Sequence, residues 1–226
     1  MKVLVVVAHP DDEVLGCGGT ISRLSLEGHE VSVAILGEGA TSRYRDRGEA
    51  DPVEVAALRE SADRAGRILG ARKVSTGDLP DNRFDTVPQI MVAKKVEELL
   101  ADVGPERVFT HHGGDLNVDH VCVNRAVLVA TRPQPGAVVP EIYAMEIPSS
   151  TEWSFQQVEP VFRPNVFFDI TATLDRKIEA LGEYPQEMRP FPHPRSPESV
   201  RSIARRWGSV AGCEAAEAFE LIRAVR

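Results

Sequence analysis

The sequence predicts an α/β fold, a Rossmann-like and mostly parallel sheet with helices on both faces. Three observations point to it. Short apolar runs alternate with segments of helical period, as in a sheet covered on both sides. A dense polar motif, "HPDDE", follows the first run directly, where open parallel sheets place their ligands. The 226 residues suffice for one sizeable core and are too few for two ordinary domains. One domain over 1–226 is expected, with a Rossmann-like core over about 1–147 and residues 148–226 completing the site.

In chain order, Val3 to Val7 reads as the first strand and Leu15 to Leu26 as the helix after it. Val31 to Leu36 is the next strand, followed by a helix over Val55 to Leu69. Leu58, Ala62, Ala65 and Leu69 recur at helical spacing with Arg59 and Glu60 on the solvated side, and Gly70 stops the helix as a C-cap. Arg72 to Ser75 and Val108 to Thr110 read as strands, and Ile90 to Leu100 and Val121 to Ala130 as helices. Beyond Ala130 the pattern loosens into "TRPQPGAVVP", "RPNVFF" and "YPQEMRPFPHPRS". Helices near Thr171 to Gly182 and Ser196 to Arg206, and a C-terminal helix from Glu214, close the chain.

Composition excludes several function classes. With 42% hydrophobic and 27% charged residues, no apolar run approaches the roughly 18 residues of a membrane span. Lys2 leads straight into a strand-like run without a signal-peptide pattern, so cytoplasmic residence is expected. Cys17, Cys122 and Cys213 are odd in number and widely spaced, which fits buried thiols better than a disulfide framework. The net charge of −8 argues against a nucleic-acid or acidic-membrane partner and favours small neutral or locally clamped substrates. The apolar, proline-rich late segments offer a surface for a homo-oligomer.

"AHPDDE" sets Asp11, Asp12 and Glu13 side by side. Two like charges about 5 Å apart repel by roughly 3 kcal/mol at an effective dielectric near 20. A helix N-terminus offsets about 0.3–1 kcal/mol per carboxylate and accounts for Glu13. It accounts neither for His9 nor for the remaining repulsion, whereas a divalent cation accounts for both. His9 and Asp12, three apart across a proline turn, aim an imidazole and a carboxylate at one point, with Asp11 directed elsewhere. Zinc suits such donors, and iron(II) or cobalt(II) fits them too. A third ligand is sought in "THHGGDLNVDHVCVN", which carries His111, His112 and His120. His120 opens a helix, where Asp119 can serve as N-cap or as an outer partner.

"HPDDEVLGCGGTI", "LRESADRAGRILG", "LPDNRF", "DLNVDH" and "HPRS" together resemble the zinc-dependent PIG-L/LmbE-type N-acetylglucosaminyl deacetylases over most of the chain. The resemblance implies one zinc ion held by His9, Asp12 and His120, with Asp11 as general base, and an N-acetyl amino sugar as the small-molecule substrate. It implies Asp81 as an acceptor for sugar hydroxyls, with Asn82 and Arg83 assisting. Many relatives read H-x-D-H where this chain has Asn117 to His120. Asn117 therefore stands in place of a histidine that stabilises the oxyanion or protonates the amine, and an amide donates a hydrogen bond but is no general acid. His112 and His193 are candidates for that task.

Arg43, in "GEGATSRYRDR", is the candidate clamp for an anionic substrate group, because a guanidinium pairs with carboxylate or phosphate in bidentate fashion. Arg195 follows His193 in a rigid segment before a helix capped by Ser196. Glu152 and Trp153 are candidates to line a sugar pocket. "GCGG" does not follow the strand directly as a dinucleotide fingerprint requires, and its glycines fit close helix-to-sheet packing. Two alternatives remain: an amidase acting on a thiol-sugar conjugate through the same metal site, and a metal-stabilised binding module without catalysis.

Overall fold

The computed structural model describes residues 1–134 and 138–226. Seven strands, β1 (Lys2–Val7), β2 (Glu30–Gly37), β3 (Lys73–Leu79), β4 (Arg107–His111), β5 (Glu141–Met145), β6 (Val166–Asp169) and β7 (Ala216–Ala224), form one sheet in the order β3-β2-β1-β4-β5-β7-β6. β1 to β5 are mutually parallel. β7 runs antiparallel to both of its neighbours.

Six helices cover the sheet: α1 (Asp12–Leu26), α2 (Pro52–Leu69), α3 (Gln89–Val103), α4 (Val118–Ala130), α5 (Leu174–Leu181) and α6 (Pro197–Ala211). Alternation along β1 explains the two layers, since successive side chains leave opposite faces. Val3, Val5 and Val7 join Leu24, Leu58, Leu69 and Leu181 in one core. Leu4, Val6 and Ala8 join Val92, Val96, Val123 and Val127 in the other. The strand order reverses between β1 and β4, and at such a switch point a crevice opens at the carboxyl ends of the strands.

α2 keeps its expected buried stripe, and Gly70 ends it at φ 80°, where a glycine avoids the cost of a Cβ. A Cβ at Gly16 would lie 2.7 Å from Met145 Sδ and one at Gly19 would lie 2.7 Å from Ile170, so these glycines do serve close packing. α1 breaks at Cys17 (φ −146°). Lys177 Nζ donates to the Leu15 carbonyl (2.8 Å), and Glu217 accepts from the Gly19 and Thr20 amides (3.0 and 2.7 Å). The two side chains pair at 2.6 Å, so the buried break leaves no charge unmatched.

The C-terminal segment departs from expectation. Residues after Glu214 form β7 rather than a helix, because they insert between β5 and β6 and satisfy their backbone on both edges. β6 lies inside the proline-rich stretch read as irregular. Residues 135–137 of "TRPQPGAVVP" lie outside the described residues. Cys17 and Cys122 are buried and Cys213 is half-buried, all as free thiols. No helix among the described residues is long and apolar enough to cross a membrane.

Candidate metal centre

β1 delivers its end into the crevice. The amide of Ala8, one residue beyond β1, donates to His111 Nε2 (2.8 Å) at the end of β4, tying the two strands across the switch point. Pro10 turns the chain, and Asp11 adopts φ 109°, a conformation costly to a residue with a Cβ. Its carbonyl accepts from the Val14 and Leu15 amides (3.0 and 2.9 Å) and so starts α1, which sets Asp12 in the first turn.

Asp12 is fully buried at the centre of the site. Its Oδ2 accepts from the His9 amide (2.8 Å) and lies 3.2 Å from His9 Nδ1 and 3.3 Å from His120 Nε2. Its Oδ1 is buried without a hydrogen-bond partner. One donor atom from each of His9, Asp12 and His120 falls within 4.8 Å of the others. An orphaned carboxylate oxygen beside two imidazoles is a donor set that suits a divalent cation.

The outer partners fix the imidazoles. His9 Nε2 donates to Asp119 Oδ2 (3.0 Å), whose Oδ1 accepts from the Phe84 amide (2.8 Å). His120 Nδ1 lies 3.1 Å from Asp115 Oδ1. Asp115 also accepts from the hydroxyls of Ser150 and Thr151 and from the Asn117 amide. Each histidine thus turns one nitrogen to a carboxylate and the other toward Asp12, the pattern of metal-ligating histidines. Asp119 therefore acts as an outer partner and not as the cap of α4. The cap is Asn117, whose Oδ1 accepts from the Asp119 amide (2.9 Å).

The electrostatics favour positive charge here. Burial pushes the His120 imidazole down, but the neighbouring Asp12 and Asp115 outweigh it and raise it to about 9. Burial raises the Asp12 carboxyl, but His120 and His111 bring it well below the usual range. His111 was not singled out by the sequence from its neighbour His112. It stacks on His120 with ring centroids 3.9 Å apart, and burial together with His120 lowers it to about 3.

Asp11 lies beside this cluster with its Oδ2 held by Arg195 Nη1 at 2.8 Å. Burial raises its carboxyl, Arg195 opposes that, and the net shift is well upward. Glu13, expected to be a simple helix-start charge, is instead buried. Its carboxyl accepts from the Tyr184 hydroxyl and from the Asp11 amide, and burial carries it up to about 7 against those bonds.

The cavity beside the cluster, about 110 Å³, is bordered by His9, Asp11, Asp81, Asn82, Asn117, Arg43, Glu187 and Arg195 among others. Asp81 accepts from the amide and hydroxyl of Ser42 and lies 3.3 Å from His9. Asn82 accepts from Asn117 Nδ2 (3.0 Å). Three expected residues stand elsewhere. His112 engages the Pro160 carbonyl (2.6 Å) with Nε2 and Glu220 (3.0 Å) with Nδ1, so both nitrogens are committed outside the cavity. His193 packs edge-on against Trp153 and accepts from the Arg195 amide (3.2 Å), supporting the segment rather than lining the cavity. Arg83 donates to the Arg45 carbonyl (3.0 Å) away from the cavity. Asp115 and Glu187 were given no role from the sequence, and His111 was named only as one of three histidines of its segment. Asp115 opens the motif "DLNVDH" itself, which was the one local signal for it.

Fold and site together define a parallel-sheet protein with a histidine-carboxylate centre at its switch point. The chain belongs to the PIG-L family, whose model, described as GlcNAc-PI de-N-acetylase, matches residues 4–131. It is 30% identical over 191 residues to the probable N-acetyl-alpha-D-glucosaminyl L-malate deacetylase 2 of Bacillus cereus, covering 80% of this chain and 81% of that one. It is 25% identical over 229 residues to the diacetylchitobiose deacetylase of Thermococcus kodakarensis, covering 98% of this chain and 83% of that one. The crystal structure of the 4-carboxy-2-hydroxymuconate hydratase of Pseudomonas putida superposes with a TM-score of 0.77 at 26% identity, covering 100% of this chain and 97% of that one.

Proposed function

We propose that this chain is a zinc-dependent hydrolase that removes the N-acetyl group of an amino sugar or its conjugate, releasing acetate and a free amine. The observation that carries this reading is Asp11, set beside His9, Asp12 and His120 on a polar cavity that Asp81 and Asn82 also border. His9, Asp12 and His120 would hold the ion, with iron(II) or cobalt(II) acceptable to the same donors. When bound, such an ion polarises a carbonyl and lowers the pKa of water.

The chain's own residues supply the proton transfers. Asp11 accepts a proton from the water that attacks the acetamide carbonyl and returns it to the departing nitrogen. Arg195, at 2.8 Å, fixes the orientation of that carboxylate. Asp81 and Asn82 offer acceptor and donor groups to sugar hydroxyls. Asn117 Nδ2 gives one hydrogen to Asn82 and keeps a second for the carbonyl oxygen, which assigns oxyanion support to the amide and proton delivery to Asp11 alone. Residues beyond Met145 supply Glu187 and Arg195 to the cavity, so we read 1–226 as one catalytic unit.

Acetate release by the zinc-loaded protein from a panel of N-acetylglucosamine derivatives, with Asp11→Asn beside it, tests the proposal. Release by the wild type alone is expected. Release of a larger acyl fragment would favour the thiol-conjugate amidase instead. A second reading, hydration of an unsaturated carboxylate, has the similarity to the Pseudomonas hydratase behind it. Water addition to such a substrate without acetate release from any sugar would replace the first reading.

A further inference from the structure

Two arginines border the cavity, Arg43 and Arg195, and either is the natural clamp for a carboxylate or phosphate on a substrate. Neither guanidinium is free. Arg43 pairs through Nη1 with Glu54 and through Nη2 with Glu187. Arg195 pairs with Asp11 (2.8 Å), lies 3.5 Å from Glu187 Oε2 and donates through Nε to Ser149 Oγ (2.7 Å). Glu187 therefore gives one oxygen to each arginine, with its side chain only 18% exposed.

The surrounding charges add to this lock. Glu54 pairs with Arg43, Asp11 with Arg195 and Glu187 with both, so three carboxylates already occupy two guanidiniums. An acidic group on the substrate that pairs with these arginines must displace Glu187 from them. Like-charge juxtaposition is an effective way to reject a partner. A neutral sugar ring meets no such penalty, because carboxylates and side-chain amides are hydrogen-bond partners for hydroxyls.

We propose that Glu187 is a specificity residue that closes the cavity to acidic aglycones, narrowing the amino-sugar reading above, on which this inference rests, to neutral glycosides. The Glu187 carboxylate neutralises Arg43 and Arg195 in place of a substrate anion. A substitution that removes its charge leaves Arg43 with Glu54 and Arg195 with Asp11, each with one ionic partner fewer and so more open to such an anion.

The test is calorimetric binding to the zinc-loaded protein of two uncleavable probes, the methanesulfonamide analogues of N,N′-diacetylchitobiose and of N-acetylglucosaminyl L-malate. The wild type is expected to bind the neutral probe at least about tenfold more tightly, and Glu187→Gln to shrink that ratio by about tenfold or more at unchanged zinc content. Glu54→Gln, which frees one contact of Arg43 from outside the cavity lining, is expected to move the ratio the same way by less. It also carries the test should Glu187→Gln not fold. The proposal is overturned by equal or tighter wild-type binding of the malate probe, by a ratio that neither variant moves, or by no binding of either probe. Acetate release from the two N-acetyl compounds is measured separately. Its absence with the binding ratio preserved would remove the deacetylase reading and leave the charge lock standing.

Discussion

The two ends of the same sheet treat charge in opposite ways. At the amino end, Arg107 pairs with Glu141 through Nε and Nη2 (2.7 and 2.6 Å). Glu141 also accepts from the Tyr143 hydroxyl (3.1 Å) and from Arg226 (2.6 Å), and the Arg107 guanidinium lies over the Tyr143 and Phe168 rings. Arg107, Glu141 and Arg226 thus pair among themselves, and Arg223 beside them donates to the Thr131 and Val139 carbonyls. At the carboxyl end, Asp11, Asp12, Asp81, Asp115 and Asp119 crowd His9 and His120, and a buried oxygen of Asp12 is left unpartnered. The first arrangement is complete within the chain. The second is a donor set that suits a divalent cation, which is the arrangement behind the proposed site.

The largest expected effect breaks the carboxyl end at its proposed base. Asp11→Asn should lower kcat by about 10²–10⁴-fold, the usual worth of a positioned acid-base group, while metal content by elemental analysis stays unchanged. Full activity in that variant would discard the mechanism. Next comes the cation itself. Chelation should lower Tm and resupply should restore it, the bound metal adding about 2.7 kcal/mol to the unfolding free energy at a concentration 100 times Kd. His120→Ala should abolish this response, and a metal-independent Tm in the wild type would mean that the cluster is no metal site.

A smaller effect sharpens the contrast. Asp115→Ala should weaken metal affinity by roughly 10–100-fold, because the His120 ring loses the carboxylate that orients it. An unchanged metal titration would make Asp115 a purely structural residue. The smallest effect lies at the opposite end, where Glu141→Gln should cost about 1–3 kcal/mol at neutral pH by denaturant titration, with kcat/KM untouched. Burial raises the Glu141 carboxyl, but Arg107 lowers it further, so its folded value lies below the ordinary carboxylate value. Its contribution is therefore present above the unfolded pKa of about 4.3 and is lost as pH falls through the folded value. The wild type and the variant should converge in strong acid, and divergence toward acid would show the sign to be wrong.

Local patterns made part of the sheet legible. β1, β2 and β4 are apolar runs, β3 was read only over its first residues and β5 was not placed, while "HPDDE" lies next to the first run, so His9, Asp11, Asp12 and the strand end that carries them were readable together. β7 was not, because "AEAFELIRA" becomes a strand only by pairing with β5 and β6, which are remote in sequence. The same reason hid Glu187. Nothing local distinguishes it from the other acidic residues of the late segment, and its meaning comes from arginines 144 and 8 positions away in the chain. His112 attracted attention by residue type, yet the adjacent His111 is the one that reaches His120, a choice decided by tertiary packing alone.

The break in α1 bears on how the protein is made. Its exposed amides are satisfied by Glu217, 198 residues after Gly19, while Lys177 serves the carbonyl on the other side. The helix that starts with Asp12 is thus braced by a strand remote from it in the chain. A nascent chain that has not yet docked β7 lacks that brace and leaves Lys177 without its partner, so the support of α1 waits on a contact of long sequence separation. The docking of β7 is therefore the step that completes the support of the helix carrying Asp12.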